Sequence, residues 1–150
     1  MESGGAPPSR STGCARPGGS RAERLVPFEP AGLTDPIGRR ITYLRLSILE
    51  SCNLRCTYCR PGEDAGVAAL PPAMEVGEIV RLATLFVSLG VRKVRLTGGE
   101  PTLHAGLVAI VHALAALEPR PPLLALTTNG VLLPRLARPL AEAGLSQVNV

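Results

Sequence analysis

Cys52, Cys56 and Cys59 crowd three thiols into eight residues of a 150-residue chain that holds four cysteines in all. A secreted disulfide framework spreads its cysteines out, so this clustering points to metal binding in a reducing compartment. Three thiolates on one loop can wrap a metal centre. A structural zinc site wants four protein ligands, and His104 and His112 are not spaced as zinc partners and sit far along the chain. A cubane iron–sulfur cluster bound by three cysteines leaves one iron open to a cofactor or substrate, which suits catalysis. Spacing alone favours an iron–sulfur cluster and leaves zinc and unligated thiols open.

Two more groups of residues carry potential chemistry. Gly98-Gly99-Glu100-Pro101 ends a strand-like run. Two glycines let a backbone approach a ligand closely and adopt positive φ, and Glu100 with the exposed backbone groups is expected to hold an amino-acid moiety. Taken alone, this tetrapeptide reads equally as a simple turn. The second group is cationic. Side chains alternate faces along a strand, so Leu44, Leu46 and Ile48 share one face while Tyr43, Arg45 and Ser47 share the other. Val94 and Leu96 likewise oppose Lys93, Arg95 and Thr97. If helices cover the apolar face, Arg45, Lys93 and Arg95 converge on one interior. Buried cations need an anionic partner, and arginine forks suit phosphate oxygens. Lys93 is the only lysine in a chain that otherwise uses arginine for every cation. Exposed strand charges or internal ion pairs are the plain alternative.

The elements that must position these residues alternate along the chain. Strands are expected over 41–49, 91–97, 123–128 and 145–150, and helices over 75–89, 105–117 and 134–143. The first helix carries Val76, Ile79, Val80, Ala83, Phe86 and Val87 on one stripe, and the second carries Leu107, Val108, Val111, Leu114 and Ala115. The third is weakened by Pro139 and stopped by Gly144. Strands separated by helices of this length imply right-handed βαβ units and a parallel α/β sheet. The pattern does not separate a barrel from an open sheet. The stretch 1–32 is different: dense in Gly, Pro, Ser and Arg, without apolar periodicity, it reads as a disordered leader in which Cys14 stands alone. The domain is expected over 33–150.

Bulk properties narrow the function classes. Hydrophobic residues make up 45% of the chain, enough for a core. No apolar run approaches the roughly 18 residues of a membrane span. The pI of 9.2 is basic, but aromatics are only 3%, so no stacking platform for nucleic acid is visible. A pocket for a small anion accounts for the charge, and neither nucleic acid nor membrane is expected as a partner.

The spacing CxxxCxxC after a first strand, with the aromatic Tyr58 before the last cysteine, resembles the radical S-adenosylmethionine superfamily, as does Gly-Gly-Glu-Pro at the end of the next strand. The stretches Asp35-Pro36-Ile37-Gly38-Arg39, Tyr43-Leu44-Arg45-Leu46-Ser47 and Leu126-Thr127-Thr128-Asn129-Gly130 extend the likeness to the GTP 3′,8-cyclase family of molybdenum cofactor biosynthesis, in register over 33–150. The chain departs from that pattern at 49–51, at Arg60 and at 102–105. The resemblance implies a (βα)6 partial TIM barrel and a 4Fe–4S cluster on Cys52, Cys56 and Cys59. It implies S-adenosylmethionine held by Tyr58, Gly98, Gly99, Glu100 and Pro101, and GTP at Arg45, Arg95 and Thr127, with Lys93 beside them. It also implies an electron donor, a lyase reaction in which a 5′-deoxyadenosyl radical abstracts hydrogen from the GTP ribose, and a cytoplasmic or mitochondrial-matrix setting. A homodimer of the full-length form is left open. The chain ends inside its fourth strand after about three and a half βα units, so it is expected to be the N-terminal portion of such a barrel and inactive by itself.

Overall fold

The computed structural model describes residues 1, 32–59, 72–121 and 123–150. The leader expected over 1–32, with its Cys14, lies almost wholly outside the described residues, as does Arg60. The described part is a four-stranded parallel sheet in the order β1-β2-β3-β4, with strands β1 (Tyr43–Ser47), β2 (Lys93–Thr97), β3 (Leu123–Thr127) and β4 (Gln147–Asn149). Helices α1 (Val76–Ser88), α2 (Leu107–Ala115) and α3 (Leu133–Glu142) alternate with them. This is the βαβ pattern expected from the apolar periodicities. The strands are shorter than their apolar runs: β1 and β4 lose residues at both ends, β2 at its start and β3 at its end.

Strand parity works as alternation demands. Val94, Leu96, Leu124 and Leu126 join Ile79, Ala83, Leu107, Ile110, Val111, Leu114 and Leu140 in one core cluster, so the helices cover this face. The two central strands are buried through their middle residues, whereas β4 is exposed along its length. Arg45 pairs in register with Arg95, and Arg95 with Ala125, which puts the cationic row on the face opposite the helices.

One local feature escaped the sequence pattern. A 3-10 turn, Pro101–Leu103, precedes α2, because Glu100 caps it by accepting from the Thr102 N–H. The third helix runs through Pro139, as expected. The proline removes one helical N–H, and the helix still docks by burying Leu140.

Candidate active site

The C-terminal ends of β1 and β2 continue as a ladder beyond the sheet. Ile48 N–H donates to the Thr97 carbonyl at 3.0 Å, Gly99 N–H to Leu49 at 2.8 Å and Glu100 N–H to Ser51 at 2.8 Å. The chain entering the cysteine loop is therefore bonded to the Gly-Gly-Glu loop as far as the residue before Cys52. This explains the glycine pair. A Cβ on Gly99 would fall on the carbonyl oxygens of Ser51 and Glu50, and one on Gly98, where φ is +143°, on the carbonyl of Leu49. The glycines admit the backbone that leads to Cys52, and both also line the cavity that the three cysteines share.

Glu100 lies beneath this loop. Its side chain is 1% exposed and its carboxylate is fully engaged by the protein. Oε1 accepts from Thr102 N–H at 3.0 Å, from the Thr102 hydroxyl, and from the Thr128 hydroxyl at 2.6 Å. Oε2 accepts from Asn129 N–H at 2.7 Å. Burial pushes the carboxyl up, but these donors, led by the Asn129 N–H, outweigh it and hold the pKa below its ordinary value. The carboxylate fastens the loop after β2 to the turn after β3.

Above this base lie the thiols. Cys52 and Cys56 are half-buried and Cys59 is exposed. All three line one open cavity of about 350 Å³ with Ser47, Leu49, Glu50, Leu54, Gly98 and Gly99. Among the described residues the three sulfurs are not drawn to metal-ligand spacing. Cys52 Sγ accepts from Leu54 N–H at 3.4 Å and faces Asn129 Nδ2 at 3.9 Å. A turn closed by Cys59 N–H to the Cys56 carbonyl at 2.9 Å brings the last two cysteines to the same side. Tyr58 is exposed, and hydrogen bonding with Cys56 raises its phenol above the ordinary value. Three soft donors that share one cavity with a side-chain-free glycine pair fit a cubane cluster with one iron open to an amino-acid chelate.

The sheet face opposite the helices holds the cations. Arg95 is 8% exposed. Its Nη1 donates to Thr127 Oγ1 at 2.9 Å, and its Nε is buried without a partner. The Tyr43 ring lies under both Lys93 Nζ, 5.0 Å from its centroid, and Arg95 Cζ, at 6.0 Å. Arg45, in register beside them, is exposed. Among the described residues none of the three cations forms an ion pair. Thr127 is brought to Arg95 as expected. The part played by Tyr43, Thr128 and Asn129 went unread, although parity had put Tyr43 on this face and Thr128-Asn129 stood in a quoted motif. A second cavity of about 340 Å³, at the opposite strand ends, is lined by Arg40, Arg92 and Arg120 and contains no cysteine.

Comparisons with known proteins agree with this site. The chain is 54% identical over 119 residues to the GTP 3′,8-cyclase of Streptomyces coelicolor, covering 79% of this chain and 35% of that protein. It is 47% identical over 128 residues to molybdenum cofactor biosynthesis protein 1 of Drosophila melanogaster, covering 85% of this chain and 22% of the relative. It is 48% identical over 118 residues to the mitochondrial GTP 3′,8-cyclase of Arabidopsis thaliana, covering 79% and 30%. The chain thus spans between about a fifth and about a third of the length of these curated relatives. Residues 46–150 match the Radical SAM superfamily. Because that match runs from within β1 through the cysteine loop to the end of the sheet, the chain belongs to the radical S-adenosylmethionine superfamily, whose membership implies a partial TIM barrel, a 4Fe–4S cluster and S-adenosylmethionine.

Proposed function

We propose that the protein carrying this chain is a GTP 3′,8-cyclase of molybdenum cofactor biosynthesis, converting GTP to (8S)-3′,8-cyclo-7,8-dihydroguanosine 5′-triphosphate. The observation that carries the reading is Arg95, a guanidinium 8% exposed with a buried, unpartnered Nε and no acid beside it among the described residues. A buried cation without a counter-charge is costly, and a triphosphate supplies that charge. The likeness to relatives named as GTP 3′,8-cyclases supports the same substrate.

In this reading Cys52, Cys56 and Cys59 hold the cluster, which when bound supplies the electron for cleavage of S-adenosylmethionine. The loop backbone at Gly98, Gly99 and Pro101, with Tyr58, holds the amino-acid end of that cofactor, and Glu100 keeps the loop in place from beneath. Arg45, Lys93, Arg95 and Thr127 orient GTP on the face opposite the helices. Thr127 fixes one arm of Arg95, and the Tyr43 ring lies under both Arg95 and Lys93, so the cations are aimed before substrate arrives. The partners are GTP and an electron donor, and the full-length form is a homodimer. The site of action is the cytoplasm or, as in the plant relative, the mitochondrion. No helix among the described residues is long and apolar enough to cross a membrane.

The test is binding by the full-length protein. Arg95→Ala is expected to weaken GTP by about 1.5–3 kcal/mol, as for a charge-assisted hydrogen bond, and to leave S-adenosylmethionine affinity nearly unchanged. Equal loss for both ligands, or tighter binding of a peptide than of GTP, would contradict the substrate.

A further inference from the structure

Asn129 ties the base of the site to the cysteine loop. It sits in the turn after β3, yet its partners come from three separate segments. Its backbone N–H donates to Glu100 Oε2 at 2.7 Å. Its Oδ1 accepts from Val131 N–H at 3.1 Å, which fixes the orientation of the carboxamide, because only the oxygen can accept. The NH2 group must then point the other way. It donates to Asn53 Oδ1 at 2.8 Å and lies 3.9 Å from Cys52 Sγ. The backbone ladder from β1 ends at Ser51, so this amide reaches the loop just where main-chain support stops.

We propose that Asn129 is a positioning residue for the Cys52 sulfur, with Glu100 as its footing, and that its N–H group tunes the potential of the cluster that this sulfur ligates. The inference rests on Cys52 being a cluster ligand. An N–H directed at a ligating sulfur favours the reduced, more negative cluster, so it raises the reduction potential. The fastening below matters as much as the donor. Glu100, already held by Thr102 and Thr128, leaves the Asn129 backbone little freedom, so the amide is aimed rather than free to swing.

The test uses the full-length protein, anaerobically reconstituted with iron and sulfide, and reads the cluster signal that S-adenosylmethionine perturbs. Two variants separate aim from architecture. Asn129→Asp keeps the oxygen that accepts from Val131 but presents a second oxygen to Cys52. Asn129→Ser keeps a turn-capping hydroxyl, so it preserves the fold, but it is too short to reach the sulfur. Both are expected to move the potential to more negative values, Asn129→Asp further. Both are also expected to release iron to a chelator faster, on the order of 10–100-fold, as for loss of an outer-sphere partner. A residue that merely shapes the turn would lower thermal stability and leave the potential alone. A wild-type potential in a cluster-loaded Asn129→Ser protein overturns the proposal. Wild-type protein that loads no such cluster overturns the cysteine assignment and this inference with it.

Discussion

Two loops meet at the C-terminal edge of the sheet, and they are built in opposite ways. In the Gly-Gly-Glu loop the protein uses up its own polar groups. Both oxygens of Glu100 are engaged, its backbone is laddered to the chain after β1, and a Cβ on either glycine would strike backbone. Among its described residues the cysteine loop is closed by one backbone turn, from Cys59 N–H to the Cys56 carbonyl, and Cys52 faces N–H groups at 3.4 and 3.9 Å. The first loop is scaffold and the second is donor. A donor loop must leave its ligand atoms uncommitted, and the rigidity it lacks is supplied by the loop it lies on. The same division separates the two sheet faces: the helix-covered side is closed by Ile79, Ile110 and Leu114, while the other keeps an arginine with an unspent donor.

This contrast is breakable by substitution. The largest effect is expected on the donor side: Cys56→Ala should abolish cluster loading outright and change the unfolding midpoint of the cluster-free protein little, while Cys14→Ala should do neither. Iron content and the visible spectrum after reconstitution check this, and equal iron in both variants would remove the distinction between the loops.

On the scaffold side Glu100→Ala strips several buried donors of their acceptor and is expected to destabilise the fold by about 3 kcal/mol, since each buried group left unpaired costs roughly 1–3 kcal/mol. The ionised carboxylate also predicts a pH dependence. Its folded pKa lies below the ordinary 4.5, so its contribution is complete above that value and is lost as pH falls through the lower, folded pKa. Denaturant titrations from pH 6 down to about 3 should therefore lose stability in the wild type more steeply than in Glu100→Gln.

A smaller effect sharpens the boundary between the two loops. Gly99→Val is expected to destabilise by about 1–3 kcal/mol through overpacking and to reduce cluster retention as well, because the clash falls on Glu50 and Ser51, next to Cys52. Lost stability with normal cluster retention would mean that the donor loop does not lean on the scaffold.

Much of this was legible in the chain. Apolar periodicity located the four strands and three α-helices of the described residues, the cysteine spacing stood out against a chain with four cysteines, and strand parity put Arg45, Lys93 and Arg95 on one face. The partners of the motif residues were harder to read, because they are distant in sequence. Glu100 and Asn129 are 29 residues apart, and Asn129 and Cys52 are 77 apart. No local pattern shows that the glycines admit the backbone before Cys52, or that the Glu100 carboxylate accepts from Thr102, Thr128 and Asn129. The Tyr43 ring under Lys93 and Arg95 follows from parallel register, which only the paired strands reveal.

The central claim is that the loop of three cysteines and the cationic sheet face serve one radical reaction on GTP. The most direct measurement is an anaerobic assay of the full-length protein with reductant, S-adenosylmethionine and GTP, following 5′-deoxyadenosine and the cyclised nucleotide together. The account predicts both products, no cyclised nucleotide from Cys56→Ala, and strongly reduced cyclisation in Arg95→Ala. Cyclised nucleotide from Cys56→Ala, or 5′-deoxyadenosine formed with no dependence on GTP and no cyclised product, would contradict it.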